Sequence, residues 1–271
     1  MVLLKRGNSF SVCLVILFLS QPFFSYSEGG ERDKSELVIA SASDLQFAMG
    51  GLIKAFEDRY PDVKIKVSYG SSGNFFSQIK NGAPFHIFFS ADMIYPERLA
   101  NEGYSEGGAQ PLMYGMGKVV IWVQRSSTID VERLKFESLL HPSVKKIAIA
   151  NPDHAPYGRA AKESLLRSGI FENIKVKLVM GENISQAAQF VQSGAADIGL
   201  IALSIAMSSE MRENGRYWEI PDGYHNPLRQ GFLLLKGLGK NKMARLFADF
   251  VKGADGISIL RKYGFIVTSN Q

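Results

Sequence analysis

Ala42-Ser43-Asp44-Leu45 and Tyr69-Gly70-Ser71-Ser72-Gly73-Asn74 decide the fold. Val38-Ile39-Ala40 leads into the first stretch, and the alternating run Val63-Lys64-Ile65-Lys66-Val67 leads into the second. Each stretch is followed by residues at helical spacing. A strand that ends in Ser or Gly at a helix start aims free backbone N–H groups and hydroxyls at one place. Such a place takes an anion without any formal positive charge. Two of them, one βα unit apart, predict a small oxyanion held between helix N-termini.

Working outward, the chain alternates strands and helices. Leu37–Ala40 reads as a strand. Leu45–Tyr60 reads as a helix, with Leu45, Ala48, Met49, Leu52, Ile53 and Phe56 on one face, ended by Pro61-Asp62. Val63–Val67 (strand), Phe75–Lys80 (helix) and Ile87–Ser90 (strand) follow. Farther on, Val119–Val123, Ile147–Ala150, Val176–Val179, Ile198–Ala202 and Phe232–Leu235 read as strands. The helical stretches are Tyr157–Ser168, Ile184–Ser193, Leu203–Met211, Met243–Lys252 and Ala254–Lys262. Strands separated by helices predict an α/β fold with mainly parallel sheets, and the length favours two α/β lobes over one sheet. Leu112–Lys118 and Tyr217–Leu228 are expected to be the two crossover strands. The first lobe is then 36–118 plus 226–271, and the second 119–225.

The N-terminus is set aside. Lys5 and Arg6 precede the apolar run Val12–Leu19, and Ser25-Tyr26-Ser27 offers small residues before a cleavage point, so 1–27 reads as a secretory signal peptide and 28–35 as a polar leader. Cleavage removes two basic residues and no acidic one, taking the net charge from +5 to +3. No basic stripe with interleaved aromatics appears, which argues against nucleic acid as a partner. Cleavage also removes Cys13, the only cysteine, so neither disulfides nor thiol chemistry is expected. No other apolar run is long enough to span a membrane.

Two more strand-to-helix sockets lie in the second half. Asn151-Pro152-Asp153-His154-Ala155-Pro156-Tyr157-Gly158 follows Ile147–Ala150, and Pro156 at the helix start leaves the Tyr157 N–H free. Gly181-Glu182-Asn183-Ile184-Ser185 follows Val176–Val179. Each alone is equally an ordinary N-cap; four in two lobes point to a ligand without identifying it.

Together with Asn81-Gly82-Ala83-Pro84, Phe89-Ser90-Ala91-Asp92 and Arg261-Lys262-Tyr263-Gly264-Phe265, these stretches resemble the periplasmic molybdate-binding proteins of ABC importers, in order from Leu37 to Val267. The resemblance implies the type II periplasmic binding protein fold, two α/β lobes joined by a two-strand hinge, with the oxyanion in the cleft. It implies molybdate or tungstate as ligand and no cofactor. It also implies a membrane permease as partner, a periplasmic location, a monomer and no catalytic activity. By the same resemblance the ligand contacts are Ser43, Ser72 and the backbone N–H groups of Tyr157 and Ile184, with Asp44, Ser71 and Gly73 as further candidates. Where some members carry a tyrosine, this chain has Ala202, and the Tyr157 side chain is expected to compensate. Asp44 stands where some relatives have an amide, and its side chain is expected to cap the helix.

A tetrahedral dianion presents only acceptor oxygens, so neutral donors can satisfy it. Sulfate is then rejected by cavity size, and monohydrogen phosphate by the lack of an acceptor for its proton. An Asp44 side chain reaching the cleft would supply that acceptor, which keeps phosphate and sulfate as alternatives. A hydrolase built on Ser43 or Ser72 with Asp153 and His154 is disfavoured, because adjacent Asp and His do not orient each other as a triad requires. His86, His141, His154 and His225 lack metal-ligand spacing. Tyr95, Tyr104 and Tyr114 are too dispersed for an iron site, and Met113 and Met116 read as hinge packing rather than a copper site. Trp122 reads as core.

Overall fold

The computed structural model describes residues 36–267. The signal peptide, the leader and Cys13 lie outside the described residues. The strands are β1 (Glu36–Ala42), β2 (Lys64–Gly70), β3 (Ile87–Ser90), β4 (Leu112–Gly117), β5 (Val119–Gln124), β6 (Ile147–Ala150), β7 (Leu178–Gly181), β8 (Ile198–Ala202), β9 (Gly215–Glu219) and β10 (Leu228–Leu234). The helices are α1 (Gln46–Arg59), α2 (Ser72–Lys80), α3 (Ile94–Asn101), α4 (Val131–Leu134), α5 (Pro156–Arg167), α6 (Phe171–Ile174), α7 (Ile184–Gln192), α8 (Leu203–Ala206), α9 (Ser209–Asn214), α10 (Lys242–Lys252) and α11 (Ala254–Lys262).

The strands form two five-stranded sheets, ordered β2-β1-β3-β10-β4 and β7-β6-β8-β5-β9. In the first, β1 runs parallel to β2 and β3, and β10 is antiparallel to β3 and β4. In the second, β6 runs parallel to β7 and β8, and β5 is antiparallel to β8 and β9. The two halves therefore share one strand plan, and each has exchanged its antiparallel fourth strand for one that arrives from the other half.

Strand periodicity explains the cores. In the first sheet Leu37, Ile39, Phe89 and Phe232 face α1, α10 and α11, where they meet Phe56, Phe247 and Phe250. The alternate residues Ala40, Phe88 and Leu233 face α2 and α3, against Phe75, Phe76, Ile79 and Leu99. Burying each of these large side chains contributes about 1.5–3 kcal/mol. In the second sheet Val119, Val120, Ile121, Trp122 and Val123 are all buried. A strand covered on both faces reads as a continuous apolar run rather than an alternating one.

Several expected boundaries change. Leu112–Gly117 is an edge strand of the first sheet, and Tyr217–Glu219 ends an edge strand of the second. The actual crossings are the single residue Lys118 and the irregular segment 220–227. Lys118 ties the two together, its Nζ lying 3.2 Å from Glu219 and 2.7 Å from Asp222. The strand expected at Val176–Val179 begins two residues later as β7. Lys175–Lys177 instead forms a 3-10 turn with Val176 exposed, so no apolar face is available there for pairing. Leu203–Met211 is two short helices, because Ser208 caps the second by accepting from the Met211 N–H. Trp122 is core as expected. Among the described residues, no helix is long and apolar enough to cross a membrane.

Candidate functional site

Four strand-to-helix junctions and the end of β3 converge on one small cavity. Ala42, Ser43 and Asp44 line it from the end of β1, with Gly70, Ser71 and Ser72 from the β2–α2 junction and Ala91 from the end of β3. Ala155, Pro156 and Tyr157 line it from the start of α5, and Ile184 from the start of α7. No lysine, arginine or histidine is among these residues.

The donors differ in how far they are already committed. Ser72 Oγ accepts from the Ala91 N–H at 3.0 Å, which leaves its own hydroxyl proton free to donate. Ser43 Oγ donates to Asn183 Oδ1 at 3.1 Å, across to the second half, so it must exchange that partner to serve an anion. Tyr157 and Ile184 occupy the first turns of α5 and α7, where N–H groups have no partner within the helix. Their neighbours are accounted for: Gly158 and Arg159 donate to Ala155 O, and Gln186 donates to Asn183 Oδ1. Gly158 is what brings α5 so close to the end of β6. A Cβ there would stand 2.3 Å from Ala150 O.

Two lesser candidates are committed elsewhere. The Gly73 N–H donates to His154 O at 3.0 Å, and Gly73 is not in the cavity wall. The residue allows close approach of the two halves, a Cβ there lying 2.6 Å from His154 O. Ser71 does line the cavity, but its hydroxyl caps α2 by accepting from the Asn74 N–H and meets His154 Nδ1 at 2.9 Å.

Asp44 departs from expectation. The residues at the cap positions of the 3-10 turn Ser43–Leu45 and of α1, Ala42 and Leu45, make no side-chain cap bond. The Asp44 carboxyl is instead wholly buried, with Oδ2 accepting from Gln230 Nε2 at 2.8 Å. Burial raises its pKa from 3.8 to about 6, opposed by hydrogen bonds from Gln230, from Tyr157 and from the backbone N–H groups of Asp44 and Leu45. The Tyr157 hydroxyl, expected to face a ligand in place of the tyrosine absent at Ala202, faces Asp44 and accepts from Gln230 Nε2 at 3.0 Å. A buried phenol takes the polar partner within reach, and here that partner is the Asp44–Gln230 pair. Ala202 itself is buried and does not line the cavity.

Gln230 is the residue that sequence reading missed. It is fully buried on β10, and its Oε1 accepts from the Tyr114 hydroxyl at 2.6 Å. It therefore joins β4, β10, the Asp44 loop and α5 in one network. An amide beside the apolar run Gly231-Phe232-Leu233-Leu234 was the available signal. Burial, then the Asp44 charge, keeps the Tyr114 and Tyr157 hydroxyls protonated well past the ordinary phenol range.

Further contacts hold the two halves together around the cavity. Ser185 Oγ donates to Ser43 O at 3.0 Å, and Ser204 Oγ donates to Asp44 O at 2.7 Å. Arg159 donates to the Tyr95 hydroxyl at 2.9 Å and pairs with Asp92. The lobes are thus in contact over the site.

Two α/β halves with paired crossings and a donor-lined cavity between them define a solute-binding protein. The chain belongs to the family of bacterial extracellular solute-binding proteins, whose model it matches over residues 37–266. It is similar to the molybdate-binding protein of Azotobacter vinelandii, at 34% identity over 231 residues, 85% of this chain and 90% of that one. It is 35% identical to the molybdate-binding protein of Rhodobacter capsulatus over 202 residues, 74% and 77% of the two chains. The solved periplasmic molybdate-binding protein of Azotobacter vinelandii superposes with a TM-score of 0.79 at 30% identity, covering 86% of this chain and all of that one. The sulfate-binding protein of Mycobacterium tuberculosis, TM-score 0.70 at 13% identity over 87% and 88% of the chains, shares the fold alone.

Proposed function

We propose that this protein binds molybdate, and tungstate with it, in the cavity between its halves and delivers it to the permease of an ABC importer. The observation that carries this is the cavity wall itself: uncharged hydroxyl and backbone donors from four helix starts, with no cationic side chain. A tetrahedral dianion is the ligand such a wall suits, because it needs donors on every side and offers none. The names of the relatives support molybdate among such dianions. In this reading Ser72 and Ser43 donate their hydroxyls, Tyr157 and Ile184 their backbone N–H groups, and Ser71 shapes the wall.

The protein acts outside the cytoplasm as a monomer without catalytic activity, after removal of residues 1–27. Residues 36–118 with 226–267 form one lobe and 119–225 the other, and they part at Lys118 and 220–227 to release the ion. Contact of one ligand with both lobes favours the closed arrangement, in which the permease recognises the joined rims.

A thermal-unfolding series with molybdate, tungstate, sulfate and phosphate added separately tests this. A ligand at about a thousand times its dissociation constant adds about 4 kcal/mol to stability. A shift with molybdate and tungstate only is the expected result. A shift with sulfate or phosphate only overturns the specificity and keeps the fold.

A further inference from the structure

One group in the cavity wall has no part in a ring of neutral donors. Asp44 lines the cavity and is fully buried. Gln230 Nε2 holds its Oδ2, while Oδ1 is buried and, among the described residues, has no hydrogen-bond partner. A buried polar atom without a partner is costly, and a carboxylate more so. Asp44 also lines the cavity, so the same charge would lie beside an incoming dianion. One proton on Oδ1 relieves both conflicts: it removes the charge and turns an orphan acceptor into an additional O–H donor.

We propose that oxyanion binding takes up one proton from solvent onto Asp44 Oδ1, so that affinity is governed by pH and Asp44 is a donor to the ligand in its acid form. The inference rests on the cavity being the oxyanion site. The balance is simple: one proton leaves bulk water, one O–H bond forms on the carboxylate, and the ligand enters unchanged as a dianion. The surroundings leave Asp44 as the group that must change. From β10 it faces Gln230, which does not titrate. From β4 and α5 it faces the Tyr114 and Tyr157 hydroxyls, which stay protonated. From α8 it meets Ser204, through its backbone oxygen only. Arg159, also on α5, is taken up by Asp92 and Tyr95. His154, in the loop before α5, contacts Ser71 and lies 3.5 Å from Glu182 rather than at Asp44. No cation is therefore on hand to neutralise the carboxylate. Burial already raises the pKa of this carboxyl to about 6, and an arriving dianion raises it further.

Calorimetric titration of the purified protein with sodium molybdate, in buffers of different ionisation enthalpy, counts the protons directly on the wild type. Uptake of one proton per ion is expected from about pH 6.5 to about pH 8.5, with affinity falling about tenfold per pH unit. Asp44→Asn removes the carboxyl and leaves His154 in place; its molybdate affinity should be flat over the same range and equal to or better than wild type above neutrality. Molybdate binding without proton uptake, or a pH slope that persists in Asp44→Asn, overturns the inference and leaves the functional reading standing. Absence of molybdate binding at every pH, in wild type and variant alike, overturns the functional reading and this inference with it.

Discussion

In the proposed oxyanion site the first half offers polar side chains, and the second offers backbone. Ser43, Asp44, Ser71 and Ser72 come from the β1 and β2 junctions, whereas α5 and α7 bring Tyr157 and Ile184, whose proposed donors are main-chain N–H groups. The same sheet plan underlies both. The difference teaches where substitutions act. In the first half a side-chain change alters the ligand's partners directly. In the second, only a change that moves a helix can do so.

The largest effect is expected where a helix is moved. Gly158→Val places side-chain atoms against Ala150 O, where even a Cβ would lie at 2.3 Å, so α5 must shift off β6. A stability loss on the order of 4 kcal/mol is expected in urea unfolding. An unchanged midpoint would break the claim that this half works through helix placement.

Next is the charge buried in the first half. The folded-state pKa of Asp44, about 6, lies above its ordinary 3.8. The native state thus holds this proton more tightly than the unfolded chain. The stabilisation is complete below about pH 4 and is lost as the pH rises through about 6, roughly 3 kcal/mol in all. Melting curves across this window should show the decline in wild type and lack that component in Asp44→Asn.

Ser72→Ala and Ser43→Ala should each weaken molybdate binding by about 1–3 kcal/mol, the value of a hydrogen bond to a charged group. Ser72 is expected to cost more, because its proton is free while that of Ser43 is engaged by Asn183. Equal affinity in both variants would remove the side-chain half of the comparison. The smallest effect is expected from Ser185→Ala, which loses one bond between the halves, to Ser43 O, and should weaken binding by about 0.5–1.5 kcal/mol.

What was legible in the sequence was local. A strand running into Ser or Pro at a helix start marks a socket with neighbouring residues alone. The four sockets could therefore be marked, the resemblance picked out Ser43, Ser72, Tyr157 and Ile184 within them, and all four line one cavity. The β6 and β8 boundaries were readable because short, fully buried strands are continuous apolar runs between polar breaks. The edge strands β4 and β9 carry weaker patterns, since pairing on one side only leaves their burial mixed. The Asp44–Gln230 bond joins residues 186 positions apart, and nothing near Asp44 announces it. The orientation of the Tyr157 hydroxyl was misjudged for the same reason: its partners come from β10 and the β1 junction.

Lys118 gives the molecule its mechanics. One residue separates β4 from β5, and its ammonium is anchored to Glu219 and Asp222 at the start of the other crossing. A joint so short and so braced has almost no slack for sliding. Relative motion of the halves is left with swivelling about a fixed fulcrum, with each half as a lever arm. In the proposed opening, a small turn at Lys118 would become a wide parting at the rims, so that one bound ion would set the posture of the whole molecule.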